Sequence, residues 1–320
     1  MSDNRTGGLP AHALLQDQSL VVQSQPECWP LVRPWLPLNA EKATNTTLPR
    51  ATLSVAAWRS SPRPDPTGKA TLRMGSVEAH VDDEAGIVAL TGEANSWGRI
   101  DLEALEGILW ADPDNHEKAS ADVYAMLTIG SAFLLGRSGR ALIHAGAVVP
   151  PGHQGWLVVG DAHSGKTTTC ASLAMTGCEL LSDDQVVLSY RAGRVSGEGW
   201  LRPLHLDEGW SRGVPCGQRR TVHPSELGNA TLRRATELGA AVFTSVNPDQ
   251  PTSVSEMSAP DAFLHIVRQS PWLLADRRAA ASVMETLSSV AVLPCYSLQL
   301  GLDTFGSPDR LRAVLHPLMS

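Results

Sequence analysis

The sequence predicts an α/β protein with a β-rich first part, and two patterns carry that expectation. From residue 140 onward, apolar strand-like segments alternate with helical ones, as in domains where strands and helices form packed layers. Between about 70 and 110, short apolar stretches (ATLRM, VEAHV, GIVALTG, GRIDL) nearly alternate and are separated by the turn-like DDEAG and GEANSWG. The 320 residues suffice for one large domain or two ordinary ones, and a 42% hydrophobic content can fill a sizeable core.

Residues 1–70 are rich in Pro, Ser, Thr and Asn, and SSPRPDPTG at 60–68 reads as a loop or linker. DPDNHEK at 112–118 is a polar break. The chain is therefore divided into a β-rich part with a loop-rich start, 1–118, and a second domain, 119–320. The second opens with ASADVYAMLTIGSAFLLG (119–136), apolar nearly all round, and so expected as a buried helix with Ser120 as its N-cap. RALIHAGAVV and WLVVG, joined by the tight turn PPGHQG, should pair as an antiparallel hairpin. TTTCASLAMTG (167–177) reads as a helix stopped by Gly177 in the left-handed conformation. CELLS and QVVLSY are strands on either side of Asp183 and Asp184, RAGRVSGEGW is a turn region, and WLRPLHL is a strand with a loop. AAVFTSV and CYSLQLG follow as strands, and PDAFLHIVRQ and ADRRAAASVMETLSSV as helices. SPDRLRAVLHPLM is a final helix, with Ser307 as N-cap and Pro308 at the first helical position.

Composition narrows the partners. The formal net charge is -7, whereas a general polyanion binder carries a basic face, so nucleic acid is not expected. The cations are nearly all Arg; Lys occurs only at Lys42, Lys69, Lys118 and Lys166. The five cysteines form no CxxC pair, which argues against a disulfide framework or a zinc site. No apolar run reads as long enough to cross a membrane, and MSDNRTGGLP lacks the pattern of a secretion leader. The expected location is the cytoplasm, with no membrane partner.

The run Gly160, Asp161, Ala162, His163, Ser164, Gly165, Lys166, Thr167 fits G-x-x-x-x-G-K-[ST], between an apolar strand and a helix. The glycines let backbone wrap closely around phosphate oxygens, and successive N–H groups then point inward as an anion nest. The helix that follows, opening with Thr167 and Thr168, adds the positive end of its dipole. Lys166 places a mobile charge on the β- and γ-phosphates, and the Thr167 hydroxyl can ligate Mg²⁺. The ligands so implied are a nucleoside triphosphate, ATP, with Mg²⁺. Asp183 and Asp184 end a short apolar strand soon after this loop. Adjacent carboxylates can divide two jobs, one holding Mg²⁺ and one taking the proton of an attacking hydroxyl. The alternative is a solvated turn. His144, on the strand before the hairpin turn, belongs either to the same site or to the interior of the fold.

HAGAVV, the hairpin, GDAHSGKTTT and LLSDDQVVL together resemble the catalytic domain of bacterial HPr kinase/phosphorylase. They are closer still to the diverse HPr-kinase-related proteins, among them kinases of lasso-peptide precursors. The resemblance is specific over about 141–190 and diffuse elsewhere. It implies a P-loop kinase core of the phosphoenolpyruvate-carboxykinase-like fold, in which a β-hairpin precedes the loop. It puts the nucleotide loop on Gly160–Thr167, the catalytic and metal-binding aspartates on Asp183 and Asp184, and an upstream histidine on His144. Two departures stand against HPr itself as substrate and against the reverse reaction. Thr168 replaces an acidic residue, and the glycine-rich phosphorylase signature is not visible after Tyr190.

Residues 191–234 hold Arg191, Arg194, Arg202, Arg212, Arg219, Arg220, Arg233 and Arg234 against few acids. Arginine forks suit phosphates or an acidic peptide, and a solvated face is the plainer alternative; Arg202, in the segment after the acids, is singled out. The expected activity is an ATP-dependent kinase acting on a hydroxyl of a protein or peptide acceptor, a natural-product precursor by resemblance only. Its catalytic set is Lys166, Asp183, Asp184 and His144, and its metal set Thr167, Asp183 and Asp184. A nucleotide-gated binding module with little catalysis, and a carboxykinase-type transferase acting on a small acid, remain the alternatives. Self-association stays open.

Overall fold

The computed structural model describes residues 11–38, 40–43, 50–58, 70–228 and 230–319. The linker read at 60–68 and the N-terminal decapeptide lie outside the described residues. Among the described residues the protein is mixed α/β, with two nine-stranded sheets and a two-stranded one. It divides into two compact units, residues 1–138 with 272–281, and residues 139–271 with 282–320.

The first unit's strands are β1 (Ala11–Ala13), β2 (Leu20–Ser24), β3 (Glu41–Lys42), β4 (Ala51–Ala57), β5 (Leu72–Met74), β6 (Val77–Asp82), β7 (Ile87–Thr91), β8 (Trp97–Asp101) and β9 (Glu106–Ala111). Their order across the sheet is β3-β1-β2-β4-β9-β8-β7-β6-β5. The meander β5 to β9 follows from alternating residues split by tight turns. A short helix α1 (Trp29–Val32) and the long α2 (His116–Gly136) pack in the same unit, α2 against β4, β6, β8 and β9.

The structure corrects the reading of α2 at three points. The helix begins at His116, after a turn in which the Asp112 carboxylate takes the N–H of Asp114 at 3.0 Å. Asn115 therefore holds the cap position, and Ser120 lies inside the helix, where its hydroxyl accepts Trp35 Nε1–H at 3.1 Å. By packing, α2 falls in the first unit, so the division lies at 138/139 and not at the polar break. Lastly, α2 has the length and composition to cross a membrane, yet 83% of its apolar window is buried within the protein. Its one deeply buried acid, Asp122, is satisfied by the Ala94 N–H at 2.9 Å and the Ser76 hydroxyl at 2.5 Å.

The second unit carries β10 (Ala141–Val149), β11 (Gly155–Val159), α3 (Lys166–Met175), β12 (Glu179–Ser182), β13 (Gln185–Arg191), β14 (Arg194–Gly199), β15 (Leu204–Asp207), β16 (Arg219–Val222), β17 (Thr231–Leu232), β18 (Ala235–Val246), β19 (Ser253–Glu256), α4 (Ala259–Arg268), β20 (Cys295–Leu300) and α6 (Pro308–Leu315). The helix α5 (Arg277–Ala291) starts in the first unit and ends in this one. The β10–β11 hairpin is antiparallel, and Gly177 stops α3 at φ +100° with the Cys178 N–H returned to Leu173 O at 3.0 Å. Pro308 opens α6, but the Ser307 side chain makes no cap bond.

The segment 194–199, read as a turn region, is instead the strand β14, joined to β13 by Ala192–Gly193 alone. Both turn residues have positive φ, 51° and 76°, as a two-residue hairpin turn requires. Strand pairing then closes on itself. β10 pairs with β13, β13 with β14, β14 with β18, β18 with β11, and β11 with β10. The inner face of α3 buries Cys170, Leu173 and Ala174 against Val158, Leu298 and Leu311.

Candidate active site

The loop between β11 and α3 is shaped by two left-handed residues, His163 at φ 65° and Gly165 at φ 95°. Gly165 is the N-cap of α3 and supplies no side-chain cap. The first amide bond at the head of this helix runs from Thr169 N–H to Gly165 O, so the N–H groups of Lys166, Thr167 and Thr168 lack intrahelical acceptors. Such an end favours an anion. Space for the backbone wrap comes from the missing side chains. A Cβ on Gly160 would strike Ser164 Oγ and Thr244 O at 2.8 Å, and one on Gly165 would strike Leu300. The Lys166 ammonium closes the loop from within, donating to Gly160 O at 2.7 Å and Asp161 O at 2.8 Å. Burial lowers its pKa, against the attraction of Asp184, Asp161 and Asp183.

Asp183 and Asp184 occupy a break in one line of strand. β12 and β13 both run antiparallel along β10, with Ser182 opposite Ala147 and Gln185 opposite His144. Between them the ladder is interrupted, and the Ser182 hydroxyl accepts the N–H groups of Gln185 at 3.2 Å and Asp184 at 3.4 Å. Local side-chain-to-backbone bonds of this kind compete with sheet pairing and explain the break. Gly146 lies across from it, and a Cβ there would meet Cys170 Sγ at 2.5 Å and Asp183 Cα at 3.3 Å.

The two acids differ in surroundings. Asp183 is buried, and burial followed by repulsion from Asp184 pushes its pKa up to about 6, against a hydrogen bond from the Thr167 side chain. Burial also acts to raise Asp184, but the hydrogen bond from His144 and the charge of Arg202 outweigh it and hold the group down at about 2. His144 Nε2 stands 3.2 Å from Asp184 Oδ1, while the Arg202 guanidinium grips Oδ2. The structure thus brings together Lys166, Thr167, Thr168, Asp183, Asp184 and His144 on one cleft of 460 Å³, which Ala162, His163 and Gly165 also line. Asp161 and Ser164 hold the loop's shape. Asp161 Oδ1 accepts from Gln269 Nε2 at 3.0 Å, and Ser164 Oγ meets Thr244 Oγ1 at 2.9 Å.

Thr244 and Gln269 escaped the sequence reading. Gln269 ends α4 and also gives its carbonyl to the His144 N–H at 3.1 Å, so one residue ties the histidine strand to the loop between β11 and α3. A polar residue closing an amphipathic helix is ordinary in sequence, and its role depends on where β10 passes. Arg202, singled out beforehand, sits against Asp184.

Among the described residues, no group of three or more His, Cys, Asp or Glu is placed to hold a metal unaided. The donors present are one hydroxyl and one or two carboxylates beside an uncapped helix end. That set fits Mg²⁺, which keeps several waters and takes further ligands from phosphates.

No family model matches the chain, and no curated protein matches it. Among solved structures it is similar to the Hpr(Ser) kinase/phosphatase from Coxiella burnetii, with 12% identity and a TM-score of 0.32, over 56% of this chain and 95% of that one.

Proposed function

We propose that the chain is an ATP-dependent phosphotransferase that passes the γ-phosphate to a hydroxyl of a protein or peptide. The observation that carries this reading is the convergence of an uncapped, lysine-closed phosphate loop with an acid pair of unlike environments on one cleft. The loop amides and Lys166 would hold the triphosphate, and the apolar residues Val246, Leu300, Leu302 and Phe305 on the cleft suit its base. Bound Mg²⁺ supplies charge neutralisation between the phosphates. Thr167 and Asp183, already hydrogen-bonded, would hold it from the protein side. Asp184, with His144 beside it, faces the acceptor and orients its hydroxyl; as a weak base it takes the proton late, as the O–P bond forms. Arg202 keeps Asp184 in place.

The two acids give the test. Single-turnover loss of labelled γ-phosphate and calorimetric Mg·ATP affinity are measured on the same preparations. Asp184→Asn should keep Mg·ATP affinity within about threefold and lower transfer by about 10²-fold or more. Asp183→Asn should weaken the Mg²⁺-dependent part of the affinity. Transfer at the wild-type rate in both variants would reduce the pair to a turn and leave a nucleotide-gated module as the better account.

A further inference from the structure

The arginines between 191 and 234 differ in their partners. Arg194 pairs with Glu237, Arg202 with Asp184, Arg220 with Glu226, Arg233 with Glu179 and Arg234 with Glu198. Arg219 differs from these. Among the described residues it pairs with no carboxylate, and its Nη2 instead lies 2.7 Å from Nδ1 of His163 in the phosphate loop. A guanidinium can only donate, so Nδ1 is the acceptor in this contact.

The base from which Arg219 reaches is built for the purpose. It opens β16, directly opposite Asp207 at the end of β15. The Asp207 carboxylate accepts the N–H groups of Gly209 at 2.7 Å, Gly217 at 2.8 Å and Cys216 at 3.1 Å, which ties down the intervening loop. Arg219, Gly217 and Asp207 line the same cleft as Lys166 and Thr167. A guanidinium on a braced hairpin, beside an amide nest and, among the described residues, with no carboxylate within ion-pair distance, is arranged for an anion.

We infer that Arg219 is a contact to the phosphate chain of the bound nucleotide. The inference rests on the triphosphate reading of the loop. His163 Nδ1 offers the guanidinium one acceptor at the loop's tip. A phosphate oxygen is the stronger acceptor, because it brings a negative charge to the guanidinium, which a ring nitrogen does not. On a phosphate, the guanidinium fork can make two parallel N–H···O bonds.

The experiment titrates Mg·ATP and magnesium tripolyphosphate calorimetrically into the full chain, as wild type, Arg219→Ala, Arg219→Lys and Lys166→Ala. Arg219 is exposed, so its substitution removes no core packing. Arg219→Ala should weaken ATP and tripolyphosphate alike, by about tenfold, the scale of one charge-assisted contact. Arg219→Lys, which keeps the charge but loses the fork, should recover part of that loss for both ligands. Two results overturn the inference while leaving the loop assignment standing. One is unchanged affinity in Arg219→Ala where Lys166→Ala loses binding. The other is a loss for ATP without a loss for tripolyphosphate, which moves Arg219 to the base or ribose. If Lys166→Ala itself binds ATP as tightly as wild type, the triphosphate reading fails, and the inference falls with it.

Discussion

The His144 ring lies 3.2 Å from an Asp184 carboxylate that the Arg202 guanidinium holds from its other side. A histidine that merely filled the interior would be closed off from solvent, whereas 38% of this side chain is accessible, and it lines the cleft. Its expected contribution is to the reacting hydroxyl, not to the nucleotide. His144→Ala should therefore lower kcat by about 10²-fold, within the range of positioned proton-transfer groups, and change the KM for ATP much less. Melting temperature and single-turnover transfer, read on one sample, separate this from a packing role. A large drop in melting temperature with full turnover of the folded fraction would assign His144 to the core instead.

At the scale of elements, the acid pair is placed by a fault in a strand. β12 and β13 would form one continuous partner of β10 but for the Ser182–Asp184 break, and Gly146 leaves room for it. Gly146→Ala adds a methyl between Cys170 Sγ and the Asp183 backbone, at 2.5 and 3.3 Å. Neither neighbour is free to move, since Cys170 is on the buried face of α3 and Asp183 is in the main chain of the break. Overpacking of this kind costs about 1–3 kcal/mol. Denaturant unfolding should show that loss, and loss of transfer should exceed it, because the strain falls on the site. A variant as stable and active as wild type would mean that the close approach is unimportant. The β13–β14 turn makes the opposite prediction. Ala192 holds φ 51°, a conformation that asparagine accepts more readily than alanine. Ala192→Asn should stabilise the protein by roughly 0.5–1 kcal/mol in the same assay, and any destabilisation would contradict the turn type.

For the whole molecule, ligand binding and stability are linked. A ligand that binds only the folded chain adds about 2.7 kcal/mol at a concentration of 100 Kd. Mg·ATP should thus raise the thermal transition in a concentration-dependent way, and Lys166→Ala should abolish the rise without itself unfolding the protein. The lysine makes its bonds to the loop carbonyls of Gly160 and Asp161, so its removal loosens the loop and spares the α3 core behind it. An equal shift in wild type and variant would show that ATP acts elsewhere on the chain.

Local chemistry alone determined much of this protein. The strand–loop–helix at Gly160–Thr167, the hairpin before it, the left-handed stop at Gly177 and the strands flanking Asp183 and Asp184 all follow from glycine, periodicity and short-range hydrogen bonding. Those signals act within a few residues, so they are readable without a fold. The start of α2 is not legible locally, because Ser120 is as good a cap in sequence as Asn115, and only the Asp112 turn and the Trp35 contact choose between them. RAGRVSGEG reads as a turn because it is rich in glycine, yet it holds β14. Its pairing with β13 and β18 outweighs that local preference. What tertiary structure alone decided is which distant residues meet the loop. Thr244, Gln269 and Arg219 reach it from about 50 to 110 residues away in the chain. The closed path of β10, β13, β14, β18 and β11 is also long-range. Contacts of that kind depend on strand order and register, which a single sequence does not encode in any local pattern.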